Sequence, residues 1–311
     1  MVKIKNKITK SRWLAQTLWF VLFAHAVLFG VAPFGSSAST RNIFIPNFTT
    51  RFLINSPGYC YMYEMQNAVQ GGYNLSYLNI IIPLLIVIIL ILMLGRVWCG
   101  WLCPFGFFQD LISYVRKSAR VRYKELPYGL VAILDRMKYA ILFMIILILV
   151  GISIPAFGLY YFRSDLALPY CQVCPVRPLY IFYQQLFGME RWSTSIPELG
   201  IILLGTVIVT AFIVRRSWCR VCPMGALLAL FSRRSLTTLR KDGDKCIKCR
   251  VCLRACPMDI REVYEEMEKD NISSPECIHC YRCVELCPEE GCLSVAFANK
   301  DIVKSKPMAK K

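Results

Sequence analysis

Cys246-Ile247-Lys248-Cys249-Arg250-Val251-Cys252-Leu253-Arg254-Ala255-Cys256-Pro257 and Cys277-Ile278-His279-Cys280-Tyr281-Arg282-Cys283-Val284-Glu285-Leu286-Cys287-Pro288 decide the reading of this chain. Each run is Cys-x2-Cys-x2-Cys-x3-Cys-Pro, and the doubled pattern predicts two [4Fe–4S] clusters. Three closely spaced thiolates meet three irons of one cube, and the distant cysteine of the other run reaches the fourth. The expected ligands are Cys246, Cys249, Cys252 and Cys287 for cluster 1. For cluster 2 they are Cys256, Cys277, Cys280 and Cys283. Zinc also favours paired Cys-x2-Cys, but two consecutive four-cysteine runs, each closed by Cys-Pro, are rare among zinc sites. His279, between two ligands, either tunes the adjacent cluster or sits exposed. Cys292 is left over and reads as structural.

Outward from these runs the chain is apolar. Of its 311 residues 56% are hydrophobic, where a soluble protein has roughly 45–50%. The excess lies in four runs, Trp13 to Phe34, Leu78 to Gly95, Tyr139 to Leu159 and Ile196 to Val214. Each is about 18–22 residues, enough to cross a hydrocarbon core of roughly 30 Å as a helix. Their middles lack aspartate, lysine and arginine, and only Glu198 intrudes, at the start of the fourth. The N-terminus imitates a signal peptide, with basic residues up to Arg12, an apolar stretch, then Ser36-Ser37-Ala38-Ser39. That stretch exceeds the usual h-region, so a retained anchor is expected.

Net charge is +17, unevenly placed. Residues 1–12 hold five Lys or Arg and Arg96 to Lys138 eight, against two in 35–77 and three in 160–195. The positive-inside rule puts both termini in the cytoplasm. Basic charge is thus a topology signal, and no nucleic-acid partner is needed to explain it. All eight cluster ligands follow the fourth span, on the reducing side that free thiolates require. The expected fold is a mostly α, multi-pass inner-membrane protein. It has four transmembrane helices and a C-terminal α+β domain of the bacterial 2[4Fe–4S] ferredoxin type. The expected divisions are a basic arm (1–12), a transmembrane domain (13–231), a ferredoxin domain (245–298) and a basic tail (299–311). The tail reads as solvated or lipid-facing. The boundary stretch is Ser232 to Asp244, around Gly243, and Glu262 to Asp270 reads as a short acidic helix. So small a domain needs its clusters as pins.

The membrane part repeats itself. Arg96-Val97-Trp98-Cys99-Gly100-Trp101-Leu102-Cys103-Pro104-Phe105-Gly106 follows the second span, and Arg216-Ser217-Trp218-Cys219-Arg220-Val221-Cys222-Pro223-Met224-Gly225 follows the fourth. Two units of the same orientation imply a pseudo-two-fold axis along the membrane normal. That axis would gather Cys99, Cys103, Cys219 and Cys222 at the inner face. They are candidates for a third metal or Fe–S centre. Redox-active dithiols and small apolar residues at helix ends are the alternatives.

Cys171-x2-Cys174-Pro175 in the second outer loop is a candidate redox pair, as a disulfide or an exchangeable dithiol. Cys60 in the first outer loop is its one evident further thiol. Alternatively, Tyr170 to Phe187 dips into the membrane, with Tyr180, Phe182, Tyr183 and Phe187 as interfacial aromatics. Arg163, Asp165 and Arg177 are then the charges that could meet a quinone head group. His25 is the single histidine within a span, where an interhelical hydrogen bond or a quinone contact are the options. One intramembrane histidine excludes a bis-histidine haem, and no Cys-x-x-Cys-His is present. The spans lack the buried acids of an ion pump. No P-loop or GxGxxG occurs, and no catalytic residue is identified.

Four spans, two inner Cys-Pro motifs and a C-terminal pair of cluster motifs resemble the NapH/MauN-type ferredoxin-like membrane proteins, and the membrane part of NosR. The resemblance runs from span one to Cys287. It implies an electron-transfer subunit linked to quinol and working with other redox subunits. The chain departs from the pattern in spacing Cys219 and Cys222 by two residues rather than three, and in having Cys171 and Cys174. The expected function is a membrane-anchored carrier between a quinone and the two clusters, with an acidic soluble carrier attracted to the basic face. One alternative is an assembly factor, similar to the CcoG type, whose thiols reduce a metal or a disulfide. Another is a docking scaffold with structural clusters.

Overall fold

A computed structural model describes residues 7–25, 66, 78–121, 123, 127–153, 169–186 and 198–306. Cys60, Arg163, Asp165, Phe187, residues 1–6 of the basic arm and 307–311 of the tail lie outside those residues. The side chains of His25 and Tyr180 do so as well.

Helix α1 is Lys7–His25. Then a long helix, a five-residue helix and a helix opening on Pro occur in that order, twice. The first copy is α2 (Leu78–Leu94), α3 (Val97–Trp101) and α4 (Pro104–Ser118). Helices α5 (Tyr128–Ser153), α6 (Pro169–Gln172) and α7 (Val176–Leu186) follow. The second copy is α8 (Glu198–Ile213), α9 (Ser217–Val221) and α10 (Pro223–Ser232).

The four apolar runs fall on α1, α2, the C-terminal part of α5, and α8. Among the described residues no helix is long and apolar enough to cross a membrane.

Proline explains the start of α4 and α10. It has no N–H to lose at the first helical position, and it holds the preceding residue extended. Cys103 (φ −62°, ψ 114°) and Cys222 (φ −65°, ψ 118°) accordingly have nearly the same backbone. The unequal cysteine spacing is absorbed by Leu102, which lies between α3 and Cys103, whereas Cys222 follows α9 directly.

The ferredoxin part is a three-stranded antiparallel sheet in the order β1 (Thr237–Lys241), β2 (Leu293–Phe297), β3 (Lys300–Lys304). Short helices α11 (Val251–Ala255), α12 (Glu262–Glu265) and α13 (Arg282–Leu286) carry or link the cysteine runs.

Three expectations change here. The stretch Ser232 to Asp244 contains β1, not a bare linker. Its Thr237, Leu239 and Lys241 point inward, and the Lys241 ammonium is satisfied by the carbonyls of Tyr264 and Glu266 at 2.8 and 2.7 Å. Part of the 299–311 tail is β3, an exposed edge strand held by pairing to β2. The sheet therefore extends past both ends of the expected 245–298 domain. Only the first turn of Glu262 to Asp270 is helical. The Glu266 carboxylate then accepts from the N–H groups of Glu268 and Lys269 and closes a turn.

The two parts are joined by backbone contact. A helix ends with unsatisfied carbonyls, and two of α2's are met by the strand side. Leu236 N–H donates to Leu92 O at 2.7 Å, and the Thr237 hydroxyl to Met93 O at 2.9 Å. The start of α1 is capped from the far end of the chain. The Glu285 carboxylate on α13 accepts from the N–H groups of Ile8 (2.7 Å) and Thr9 (3.1 Å), where a negative charge favours a helix N-terminus. Gly100 packs so closely on the cluster-2 run that a Cβ there would lie 2.3 Å from Ile278 O.

Gly100→Ala should therefore separate the two parts, at a cost of about 1–3 kcal/mol for forced overpacking. Gly205→Ala on α8, with open space around it, should leave stability unchanged or raised. Thermal unfolding of both variants in one detergent checks this, and equal melting temperatures would refute the close docking.

Candidate metal centres

The eight cysteines of the two runs sort across the runs. Cys246, Cys249, Cys252 and Cys287 line one cavity of about 20 Å³. Cys256, Cys277, Cys280 and Cys283 line another of about 20 Å³. The runs reach this arrangement by the same local backbone. Lys248 and His279 take φ of 54° and 47°, and Arg250 and Tyr281 take 60° and 56°. A five-residue helix follows in each, and Pro257 and Pro288 hold Cys256 (ψ 119°) and Cys287 (ψ 124°) extended. The thiols stand around the cavity walls. Among the described residues no three His, Cys, Asp or Glu side chains converge to hold a single ion.

Two residues sit differently from their expected places. Cys292 lines the first cavity with the four thiols, so the leftover cysteine belongs to the site's wall. His279 is 2% exposed, not a surface group. Its ring packs on Gly95, where a Cβ would lie 2.8 Å from Nε2. Burial, with Arg96 nearby, pushes its pKa down to about 4, which keeps the imidazole neutral.

The repeat brings the other four together. Cys99, Cys103, Cys219 and Cys222 line a single cavity of about 40 Å³. The arginine that opens each motif crosses to the other copy. The Arg216 guanidinium donates to Cys99 O at 2.8 Å and would meet a Cβ on Gly106 at 3.2 Å. Arg96 would meet a Cβ on Gly225 at 3.0 Å. A larger residue at either position would push the guanidinium by a few tenths of an ångström. Two sulfurs accept N–H donors, Cys103 from Gly106 at 3.4 Å and Cys219 from Gln109 at 3.6 Å. Cys219 also shares an apolar cluster with Cys256 and Cys280. Gly100, between Cys99 and Cys103, packs on Ile278 of the second run, so the inner motif lies on that run's side of the ferredoxin part.

Buried charge binds these parts together. Asp110 is shared by Arg216 (2.6 Å) and Arg12 (3.2 Å). Glu276, next to Cys277, is shared by Arg96 (3.1 Å) and Lys138, which also lies 3.9 Å from Asp135. Asp259 is shared by Arg220 (2.6 Å) and Arg215 (2.9 Å). Burial alone would raise the Asp110 pKa, but Arg216 and Arg12 hold it below its ordinary value of 3.8. Trp101 Nε1–H donates to His279 O at 2.9 Å, and Gln16 to Gly100 O at 3.0 Å. The arginines of the motifs were visible in the sequence. Their carboxylate partners were not, because they lie 39 to 180 residues away.

The Cys171–Cys174 segment is drawn inward. Tyr170 and Val176, on either side of it, line the inner cavity, and Cys174 is buried in the helical core. Gln66 donates to Cys171 Sγ at 3.6 Å and accepts from Tyr170 N–H at 2.9 Å. On α7, Tyr183 meets Phe20 of α1 edge-on at 5.3 Å.

Comparison with known proteins agrees with this geometry. The 4Fe-4S binding domain family matches residues 75–122 and 197–241, the two repeat copies. The 4Fe-4S dicluster domain family matches residues 238–288. An uncharacterized protein of Methanocaldococcus jannaschii is 29% identical over 309 residues, 98% of this chain and 94% of that one. The regulatory protein NosR of Pseudomonas aeruginosa is 28% identical over 221 residues, 70% of this chain and 27% of NosR. The ferredoxin-type protein NapH of Haemophilus influenzae is 27% identical over 213 residues, 66% of this chain and 64% of NapH. No solved structure matches.

Asp110→Asn should leave Arg12 and Arg216 as buried, uncompensated cations, at a cost of about 3–5 kcal/mol. Because the Asp110 pKa is depressed in the fold, its stabilisation is present above the ordinary carboxylate value and lost as pH falls through the lowered one. Wild type should therefore show no Asp110-dependent loss until the pH is below 3.8. Melting temperatures of both proteins from neutral to acid pH measure this. A wild-type–variant gap that closes already near pH 6 would rule it out.

Proposed function

We propose, from the premise that this chain is a ferredoxin-like iron–sulfur electron-transfer protein of the NapH/NosR type, that it is a membrane-bound carrier between the quinone pool and a redox partner. Cys246, Cys249, Cys252 and Cys287 hold one [4Fe–4S] cluster, and Cys256, Cys277, Cys280 and Cys283 the other. The observation that carries the reading is the sorting of eight thiols into two cavities, with the second cavity backed onto Gly100 and Trp101 of the membrane-side motif. A docking of that closeness suits transfer between the helices and cluster 2, then cluster 1. The clusters carry the electrons, and the protein supplies ligation, burial and hydrogen bonds that set their potentials.

The membrane reading rests on charge placement and on apolar exposure. Phe143 on α5 and Ile202 on α8 are 63% and 62% exposed, and Leu85 and Ile89 on α2 about half. Contiguous apolar faces of this kind are out of place in water and suit lipid. Together with the positive-inside charge, these faces support our reading of four spans of an inner membrane and a cytoplasmic ferredoxin domain. In this scheme a quinol releases two electrons and two protons, and the electrons pass singly to the clusters. Reduction of a quinone is the same step reversed. Other redox subunits, or an acidic soluble carrier drawn by the basic surface, exchange electrons at the cytoplasmic end.

The test uses anaerobically purified protein in lipid vesicles. A short-chain quinol should bleach the cluster absorbance, or the quinone should reoxidise dithionite-reduced clusters. Cys283→Ser should lose about four of about eight ferredoxin irons. Clusters that dithionite reduces but neither quinol nor quinone touches would leave a docking scaffold as the better account. Loss of partner disulfide or metal reduction in Cys171→Ser/Cys174→Ser, without quinone turnover in wild type, would favour an assembly factor.

A further inference from the structure

We infer that Cys99, Cys103, Cys219 and Cys222 jointly hold a third iron–sulfur cluster, shared by the two repeats and poised beside the second ferredoxin cluster. The inference rests on the electron-transfer reading above and deepens it.

The first ground is stoichiometry. Each segment matched by the 4Fe-4S binding domain family holds two cysteines, Cys99 and Cys103 in 75–122, and Cys219 and Cys222 in 197–241. A cluster needs about four thiolates, so neither segment suffices. The fold supplies the missing pair by folding one repeat onto the other around one cavity. Space is adequate, at about 40 Å³ against about 20 Å³ for each ferredoxin site. Cys103 and Cys222 also share the extended pre-proline backbone of the ligands Cys256 and Cys287.

The second ground is charge. Arg12, Arg96, Lys138, Arg215, Arg216 and Arg220 are six cations, set against the four carboxylates Asp110, Asp135, Asp259 and Glu276, an excess of two. Five of the six are 5% exposed or less: Arg12, Arg96, Lys138, Arg216 and Arg220. Uncompensated buried cations are costly, so this cluster of charges calls for anions. An oxidised cluster with four thiolates is a dianion. Arg96 lines the cavity, and Arg216 donates to Cys99 O at 2.8 Å, so part of the excess faces the inner site rather than the ferredoxin cluster alone. The N–H donors on Cys103 and Cys219 are of the kind that tune cluster sulfurs.

A single zinc ion fits less well. It would draw four sulfurs to about 2.3 Å from one point, and the described thiols form no such group. They ring the cavity, as the ferredoxin thiols ring theirs.

Iron and zinc per chain, with EPR after stepwise reduction, decide the matter on anaerobically purified full-length protein. Wild type should hold about twelve irons for a cubane third cluster, or about ten for a two-iron one. Cys99→Ser/Cys219→Ser should fall to about eight, with both ferredoxin EPR signals intact. Eight irons in wild type overturn the inference whatever the variant does, and eight irons with one zinc do so too. Cys246→Ser/Cys249→Ser keeps the two readings apart. It should lose a ferredoxin signal and keep the third. Absence of ferredoxin iron from wild type would sink the parent reading, not this one alone.

Discussion

Arg96 and Arg216 each leave the repeat that contains them and end against a glycine of the other. This exchange is the constraint on which the rest of the molecule depends. It fixes the two copies face to face and places four cysteines around one cavity. It also buries Arg96 in that cavity's wall and Arg216 beside it, which obliges the chain to provide carboxylates nearby. Asp110 comes from the first copy. Glu276 comes from the ferredoxin domain, so the contact that orders the helices also seats the cluster domain. An arginine is suited to this task because its charge is permanent and its planar donors can serve two partners at once. Arg216 does so, with Asp110 through Nε and Nη2 and with Cys99 O through Nη1.

The seating has an electronic side. Gly100, between the two cysteines of the first motif, touches the backbone of Ile278, between two cysteines of the second ferredoxin run. The neighbouring Trp101 donates to His279 O in the same loop. The cysteine-bearing loops of the helical and ferredoxin parts are thus adjacent through backbone, with no flexible linker between them. Redox centres held by loops so joined would keep a fixed separation and orientation, whereas a tethered domain would have to dock for each transfer.

Much of this was legible in the sequence. Cysteine spacing is a short-range signal with a fixed chemical cause, so the two runs and the paired motifs could be read directly. Proline after each last cysteine dictated the backbone that the structure has there. What could not be read was long-range or shape-dependent. Asp110, Asp259 and Glu276 look like ordinary surface acids until the fold brings arginines to them. The stretch Ser232 to Asp244 looked like a linker because charge and glycine dominate it, yet burial alternates along β1 and Lys241 is buried with its ammonium satisfied. The segment around Cys171 had two readings, an outer loop or a dip inward. Tyr170 in the wall of the inner cavity favours the inward one.

The cap on α1 carries a consequence for how the protein is made. Ile8 and Glu285 are 277 residues apart, and at ribosomal speeds of roughly 5–20 residues per second the helix start waits on the order of tens of seconds for its carboxylate. Until then its first N–H groups are met only by solvent or by lipid head groups. A helix start made early is thus capped by a carboxylate made much later, and Glu285 lies between Cys283 and Cys287, which line the two different ferredoxin cavities. The start of the first helix and the second cysteine run are thereby tied, so that a disturbance in one would be felt at the other.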